Sequence, residues 1–208
     1  NVTGSVAGDY TVTVNDVTKD VTVESAGDFV SVDFGVLAAN VDGYAILANY
    51  TETTNYVGVA NTTEVVVVNK AETPIVVVAD SITYGDVLVV GVELPADVAN
   101  GAIVSVGNVT KEVVLTDGKG SVEFADLGAG DYTVVVSYSG DDNYLEAVNN
   151  VTEISVSKVV VAVDVVADAV VYGDNVIVNV TGSVAGDYTV TVNDVTKEVT
   201  VVTAGDFV

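Results

Sequence analysis

Residues 111–144 read KEVVLTDGKGSVEFADLGAGDYTVVVSYSGDDNY. Three short apolar stretches, Lys111–Leu115, Gly120–Phe124 and Tyr132–Tyr138, stand apart from one another, with Asp117-Gly118-Lys119-Gly120 after the first and Ser139-Gly140-Asp141-Asp142 after the last. Val-rich runs bounded by Gly and Asp are strands bounded by turns, because β-branched side chains lose little in a pleated sheet while Gly and Asp take up turn geometry. In Tyr132–Tyr138 the alternate residues Tyr132, Val134, Val136 and Tyr138 share one face, and Thr133, Val135 and Ser137 share the other. The first face is expected to enter a core.

The same pattern extends on both sides. Ile75–Ala79, Val87–Val92, Ala102–Val106 and Val151–Val156 add four strands, with Tyr84-Gly85-Asp86 as a further turn signal. Seven short strands at this spacing predict an immunoglobulin-like β-sandwich. Tyr44, Tyr50, Tyr56 and Lys70 recur 88 positions on as Tyr132, Tyr138, Tyr144 and Lys158, and Tyr84-Gly85-Asp86 recurs as Tyr172-Gly173-Asp174. A longer period encloses this one: residues 1–30 return as 179–208 with only Asp20/Glu198, Glu24/Val202 and Ser25/Thr203 changed. The expected fold is all-β, tandem immunoglobulin-like modules of about 88 residues placed end to end. On this division 1–70 is the later part of one module, 71–158 a complete module and 159–208 the first part of a third, and a near copy of Ser31-Val32-Asp33-Phe34-Gly35 is expected after Val208. The junctions Asn69-Lys70-Ala71-Glu72-Thr73-Pro74 and Lys158-Val159 contain no flexible spacer, so an array of modules should be a stiff rod.

Thirty acidic residues against six Lys or Arg give a net charge of −24, spread along the chain. Such a field repels nucleic acid and anionic membranes and keeps a Val-rich sheet protein in solution. The chain contains neither Cys nor His, which removes disulfides, thiolate metal sites and the commonest general base. No catalytic residue, cofactor or metal site is expected. Ser139-Gly140-Asp141-Asp142-Asn143 offers oxygen ligands in a turn, but it lacks the bidentate Glu of a calcium loop, and turn formation accounts for its acids.

Val171-Tyr172-Gly173-Asp174-Asn175-Val176, the stretch Leu127–Val134 and Tyr138-Ser139-Gly140-Asp141-Asp142-Asn143-Tyr144 resemble the Ig-like tandem repeats of adhesin-like surface proteins of methanogenic archaea. The resemblance implies the non-catalytic repeat region of a large secreted protein at the cell surface or envelope. It would be a rigid stalk for adhesion or presentation, or alternatively a self-assembling subunit of a filament, sheath or bundle. Its partners would be further copies or a ligand on a host or neighbouring cell, with no nucleic acid and no membrane insertion in this segment. In the first module Tyr50-Thr51-Glu52-Thr53-Thr54-Asn55-Tyr56 departs from the pattern by losing the Gly-Asp pair.

Two sets of modification sites are expected. Asn-x-Thr sequons at Asn1, Asn49, Asn61, Asn108, Asn150 and Asn179 are candidates for N-linked glycans. Lys19, Lys111 and Lys197 share strand parity with Val21, Val113 and Val199. By analogy with surface Ig-like modules they are candidate isopeptide donors, since an amide would remove a charge from an apolar face. The competing explanation places each lysine at a strand end or edge, its stem over Val and its amine in water.

Overall fold

The computed structural model describes residues 1–206 and 208, apart from the side chain of Asn150. It is all-β, built of several small, mainly antiparallel sheets, with no helix among the described residues. Residues 1–70 carry β1 (Val2–Thr3), β2 (Gly8–Val14), β3 (Val17–Val23), β4 (Phe29–Val30), β5 (Asn40–Tyr50) and β6 (Val59–Val68). Residues 71–158 carry β7 (Val76–Ala79), β8 (Ile82–Thr83), β9 (Leu88–Glu93), β10 (Ala102–Val106), β11 (Val109–Val113), β12 (Lys119–Phe124), β13 (Gly130–Tyr138) and β14 (Ala147–Ser157). The remainder carries β15 (Val163–Ala167), β16 (Val178–Gly182), β17 (Gly186–Val192) and β18 (Val195–Val201).

The middle stretch has the largest core. One sheet runs β12-β9-β7 and the other β11-β10-β13-β14-β8. Leu88, Val90, Val92 and Phe124 of the first pack in one cluster with Val104, Val106, Val134, Val136 and Tyr138 of the second, each at most 3% exposed. The alternation expected in Tyr132–Tyr138 therefore places Val134, Val136 and Tyr138 in the core. All seven expected strands form, with shifted ends: Lys111–Leu115 becomes Val109–Val113, and Val151–Val156 lengthens to Ala147–Ser157. An eighth, Ile82–Thr83, pairs in parallel with the end of β14, while β7 just before it pairs antiparallel with β9. One incoming segment thus edges both sheets. Ser81, between the two strands, accepts the Ser155 N–H at 2.9 Å.

Hairpin turns set the register. Val14 pairs with Val17 around Asn15 and Asp16, both in the left-handed region at φ 49° and 60°. Asn193 and Asp194 repeat this at 48° and 64°. Both are turns of the type that matches strand twist, and Asn and Asp tolerate them better than other residues with a Cβ. The corresponding β10–β11 turn is Gly107-Asn108, with Gly107 alone at positive φ. Beside each turn a hydroxyl pair spans the strands: Thr13 and Thr18 at 2.8 Å, Ser105 and Thr110 at 2.9 Å, and Thr191 and Thr196 at 2.8 Å.

The flanking stretches are less complete. In residues 1–70 a four-stranded sheet β3-β2-β5-β6 stands with the small pair β1-β4. In residues 159–208 only the pairs β15-β16 and β17-β18 form.

Candidate functional site

The connection between β6 and β7 at Lys70-Ala71 is organised by the loop Ser139–Tyr144, which leaves β13 at its end. Asp141 is the centre of that loop. Its Oδ1 accepts the N–H groups of Asn143 and Tyr144, both at 2.8 Å, and its Oδ2 accepts the Ala99 N–H at 2.8 Å and the Tyr138 hydroxyl at 2.5 Å. Burial pushes the Asp141 carboxyl up, but the bonds from Tyr138, Ala99, Asn143 and Tyr144 outweigh it and hold the group at about 2. Burial, the hydrogen bond to Asp141 and that residue's charge push Tyr138 up to about 12. Tyr144 donates to Asp97 Oδ1 at 2.6 Å, which raises its own pKa. The carboxylate expected at the sequence level to shape a turn therefore also ties the loop to Ala99, on a different connection of the fold.

A loop fixed in this way can receive the preceding segment. Lys70 Nζ donates to the Asp141 carbonyl at 2.6 Å, and the Ala39 N–H donates to Asn143 Oδ1 at 2.9 Å. Ala38, next to Ala39, accepts the Tyr44 hydroxyl at 3.1 Å, so Tyr44 steadies the segment that meets Asn143. Immediately after Lys70 the chain is stitched to the same loop: Ala71 N–H to the Asn143 carbonyl at 2.8 Å, Leu145 N–H to the Ala71 carbonyl at 2.9 Å, and Thr73 Oγ1 to the Leu145 carbonyl at 2.5 Å. Thr73 is 6% exposed. In residues 1–70 the counterpart loop keeps its turn without a carboxylate, the Tyr56 N–H donating to Thr53 Oγ1 at 3.2 Å and the Thr53 N–H to the Tyr56 carbonyl at 2.9 Å.

The candidate donor lysines sit at sheet edges. Lys111, on the edge strand β11, reaches the other sheet, where its Nζ donates to the Glu123 carbonyl at 2.7 Å and lies 5.4 Å from the centre of the Phe124 ring. Lys19 makes the same pair of contacts, donating to the Asp33 carbonyl with its Nζ 5.5 Å from the Phe34 ring centre. Among the described residues Lys119 and Glu93 form the one ion pair within 4.0 Å, so Lys19, Lys111 and Lys197 have no carboxylate that close. What the geometry provides is a hydrogen-bonded, cation–π clip, from one sheet edge to the other at Lys111 and from the edge of β3 to the Asp33-Phe34 segment at Lys19.

Of the sequon residues, Asn1, Asn61, Asn108 and Asn179 are exposed and Asn49 is half-buried on the central strand β5. Asn108 stands at the tip of the β10–β11 turn. Asn61, within β6, accepts both the Thr63 N–H at 2.9 Å and its hydroxyl at 2.8 Å on its Oδ1, beside a register shift in the pairing with β5. The side chain of Asn150, on β14, lies outside what the structure describes.

A scan against protein-family models, a search of curated proteins and a search of solved structures each found no match to this chain.

Proposed function

We propose that this chain is a non-catalytic repeat region of a large secreted cell-surface protein, in which immunoglobulin-like modules stand end to end as a rigid stalk for adhesion or presentation at the envelope. The observation that carries the proposal is the junction: Lys70 and Ala39 on one side bond directly to Asp141 and Asn143 on the other, with no spacer between. A linker free to swing needs flexible residues and few contacts, and this one has neither. Transverse hydrogen bonds at this junction suit a part whose task is to hold distance.

The module reading draws support from strand order and from one recurrent side chain. A three-stranded sheet facing a five-stranded one, with the first segment divided between them, fits an immunoglobulin-like sandwich. Tyr132, near the start of β13, donates to the Gly128 carbonyl at 2.9 Å, and its counterpart Tyr44 donates to Ala38. A tyrosine bonded back across the corner into this strand is a mark of such sandwiches. Exposed Asn61, Asn108 and Asn179 suit glycans that would shield Val-rich edges at a surface. Electron microscopy of the purified native protein tests the proposal: isolated rods ending in a non-repeated tip are expected, and compact particles would refute it.

A further inference from the structure

The chain enters the middle stretch at Ala71 and leaves it at Lys158, and the entering segment is laid along the leaving strand. Ala71 meets Tyr144 in a parallel bridge just before β14 begins, and Ile82 and Thr83 meet Val156 and Ser157 in parallel at its end. The two runs therefore lie side by side and point the same way along the length of β14. Bonds recur between them. At the near end the Ala71 N–H donates to the Asn143 carbonyl, the Leu145 N–H to the Ala71 carbonyl and the Thr73 hydroxyl to the Leu145 carbonyl. Midway, Asn149 Nδ2 donates to the Ile75 carbonyl at 3.1 Å. Toward the far end Ser81 Oγ accepts the Ser155 N–H at 2.9 Å and the Ser155 hydroxyl at 3.2 Å, and the Tyr84 N–H donates to the Ser157 carbonyl at 2.8 Å. In between, β7 pairs with β9 from Val76 to Ala79, and Ile75, Val77, Ala79 and Ile82 are half-buried against the core.

We infer that this seam is a mechanical clamp, and that the middle stretch has the further function of bearing tension along the chain. Parallel order decides how the seam is loaded. A pull between Ala71 and Lys158 drags the entering segment one way and β14 the other, so the bonds lie across the direction of sliding and share the load. Each alone is weak, because water replaces it as it breaks. Loaded together they must fail together, and buried Thr73 with the half-buried apolar side chains keeps water from the inner side of the seam. Release of the seam also strips β7 from β9 and uncovers the core, so sliding and unfolding are one event with one barrier. All of these bonds lie within residues 71–158, which have chain on both sides. The tension-bearing role rests on the stalk reading, since a part that holds distance is pulled at its ends; the clamp is a property of the seam itself.

Single-molecule force spectroscopy on the full chain tests the clamp with the fold unaltered, because a chain without cysteine accepts handles at chosen positions. Glu72→Cys with Lys158→Cys places handles at exposed residues at opposite ends of the seam and shears it. Glu72→Cys with Glu146→Cys places both at exposed residues at the same end and peels it. In neither case do residues 1–70 or 159–208 carry load. The shear pair should unfold in one step, at a force several times that of the first rupture in peeling. That step should release roughly 260 Å, at about 3.5 Å per residue between the handles less the roughly 40 Å already spanned. Thr73→Val/Ser81→Ala removes side-chain bonds with little change of shape, and should lower the shearing force while leaving the peeling force in place. A variant that merely weakened the fold would lower both. Equal forces in the two geometries, gradual yielding in shear, or an equal loss in both from the variant would overturn the inference. Rods in the electron microscope with a seam that slides easily would leave the stalk and remove the clamp, whereas a resistant seam in compact particles would leave the clamp and remove both the stalk and the tension-bearing role.

Discussion

Asp141 takes four hydrogen bonds from three separate parts of the middle stretch, and its ionised state is what they hold. Its carboxyl is lowered to about 2 from an unfolded value near 3.9, so its contribution is present above pH ~4 and is lost as pH falls through about 2. Tyr138 is raised to about 12 from near 10, so its contribution is present below pH ~10 and is lost as pH rises through about 12. Thermal melts across pH should therefore show Asp141→Asn flattening both the acid and the alkaline arm relative to the parent chain; parallel profiles would contradict this. Asp141→Ala should cost about 2–3 kcal/mol in denaturant unfolding, because Tyr138 and three N–H groups lose their acceptor. A second residue-scale test comes from a size exchange. A Cβ on Gly4 would fall 2.0 Å from the Tyr10 hydroxyl, and one on Gly182 would fall 2.2 Å from that of Tyr188. The hairpin registers make Ala102 the counterpart of Tyr10, and the repeat makes Leu94 the counterpart of Gly4. Large against small is thus reversed in the middle stretch, with Leu94 and Ala102 both buried. Tyr10→Ala should cost about 3–5 kcal/mol by opening a cavity. Gly4→Leu with Tyr10→Ala should recover at least about 1 kcal/mol of that, and an additive or worse double variant would contradict the exchange.

The strands were legible where Val alternates between turn residues, and much less so where an element is short or interrupted. Ile82–Thr83 is two residues long, too short to show a period, and its place is fixed only by pairing with Val156 and Ser157 far along the chain. The early part of β14 escaped because Asn149-Asn150 breaks the apolar run; a bulge between Val134 and Val136 absorbs the irregularity, and Asn149 Nδ2 donates to the Ile75 carbonyl at 3.1 Å. The bonds around Lys70-Ala71 were not legible, since nothing local announces that Asp141 meets Ala99 or that Asn143 meets Ala39. The lysines gave a parity signal that was real. Lys111 lies on the face of buried Val113 and reaches Phe124, yet its amine ends on a carbonyl at the sheet edge. Lys111→Met keeps the stem and removes the clip, and should cost about 1–2 kcal/mol. Intact mass of the deglycosylated chain is expected to equal the unmodified value; loss of one ammonia or water per lysine would instead show an amide crosslink.

At the scale of the whole molecule, a net charge of −24 and direct junction bonds work toward the same end. Like charges along the chain disfavour folding back of one stretch onto another, and Lys70 with Asn143 limits the swing between neighbours. In the proposed array length would follow from module number: extended strands rise about 3.3 Å per residue, so each module with its turns would add roughly 35–45 Å. Small-angle scattering in solution, on the chain and on Lys70→Ala/Asn143→Ala at a concentration low enough to keep both monomeric, tests this most directly. The parent chain should give a rod-like profile that fits one fixed arrangement of residues 1–70 and 71–158, and the double variant a broader distribution of distances. A parent profile that is compact, or one as broad as that of the variant, would contradict the claim that the junction is rigid.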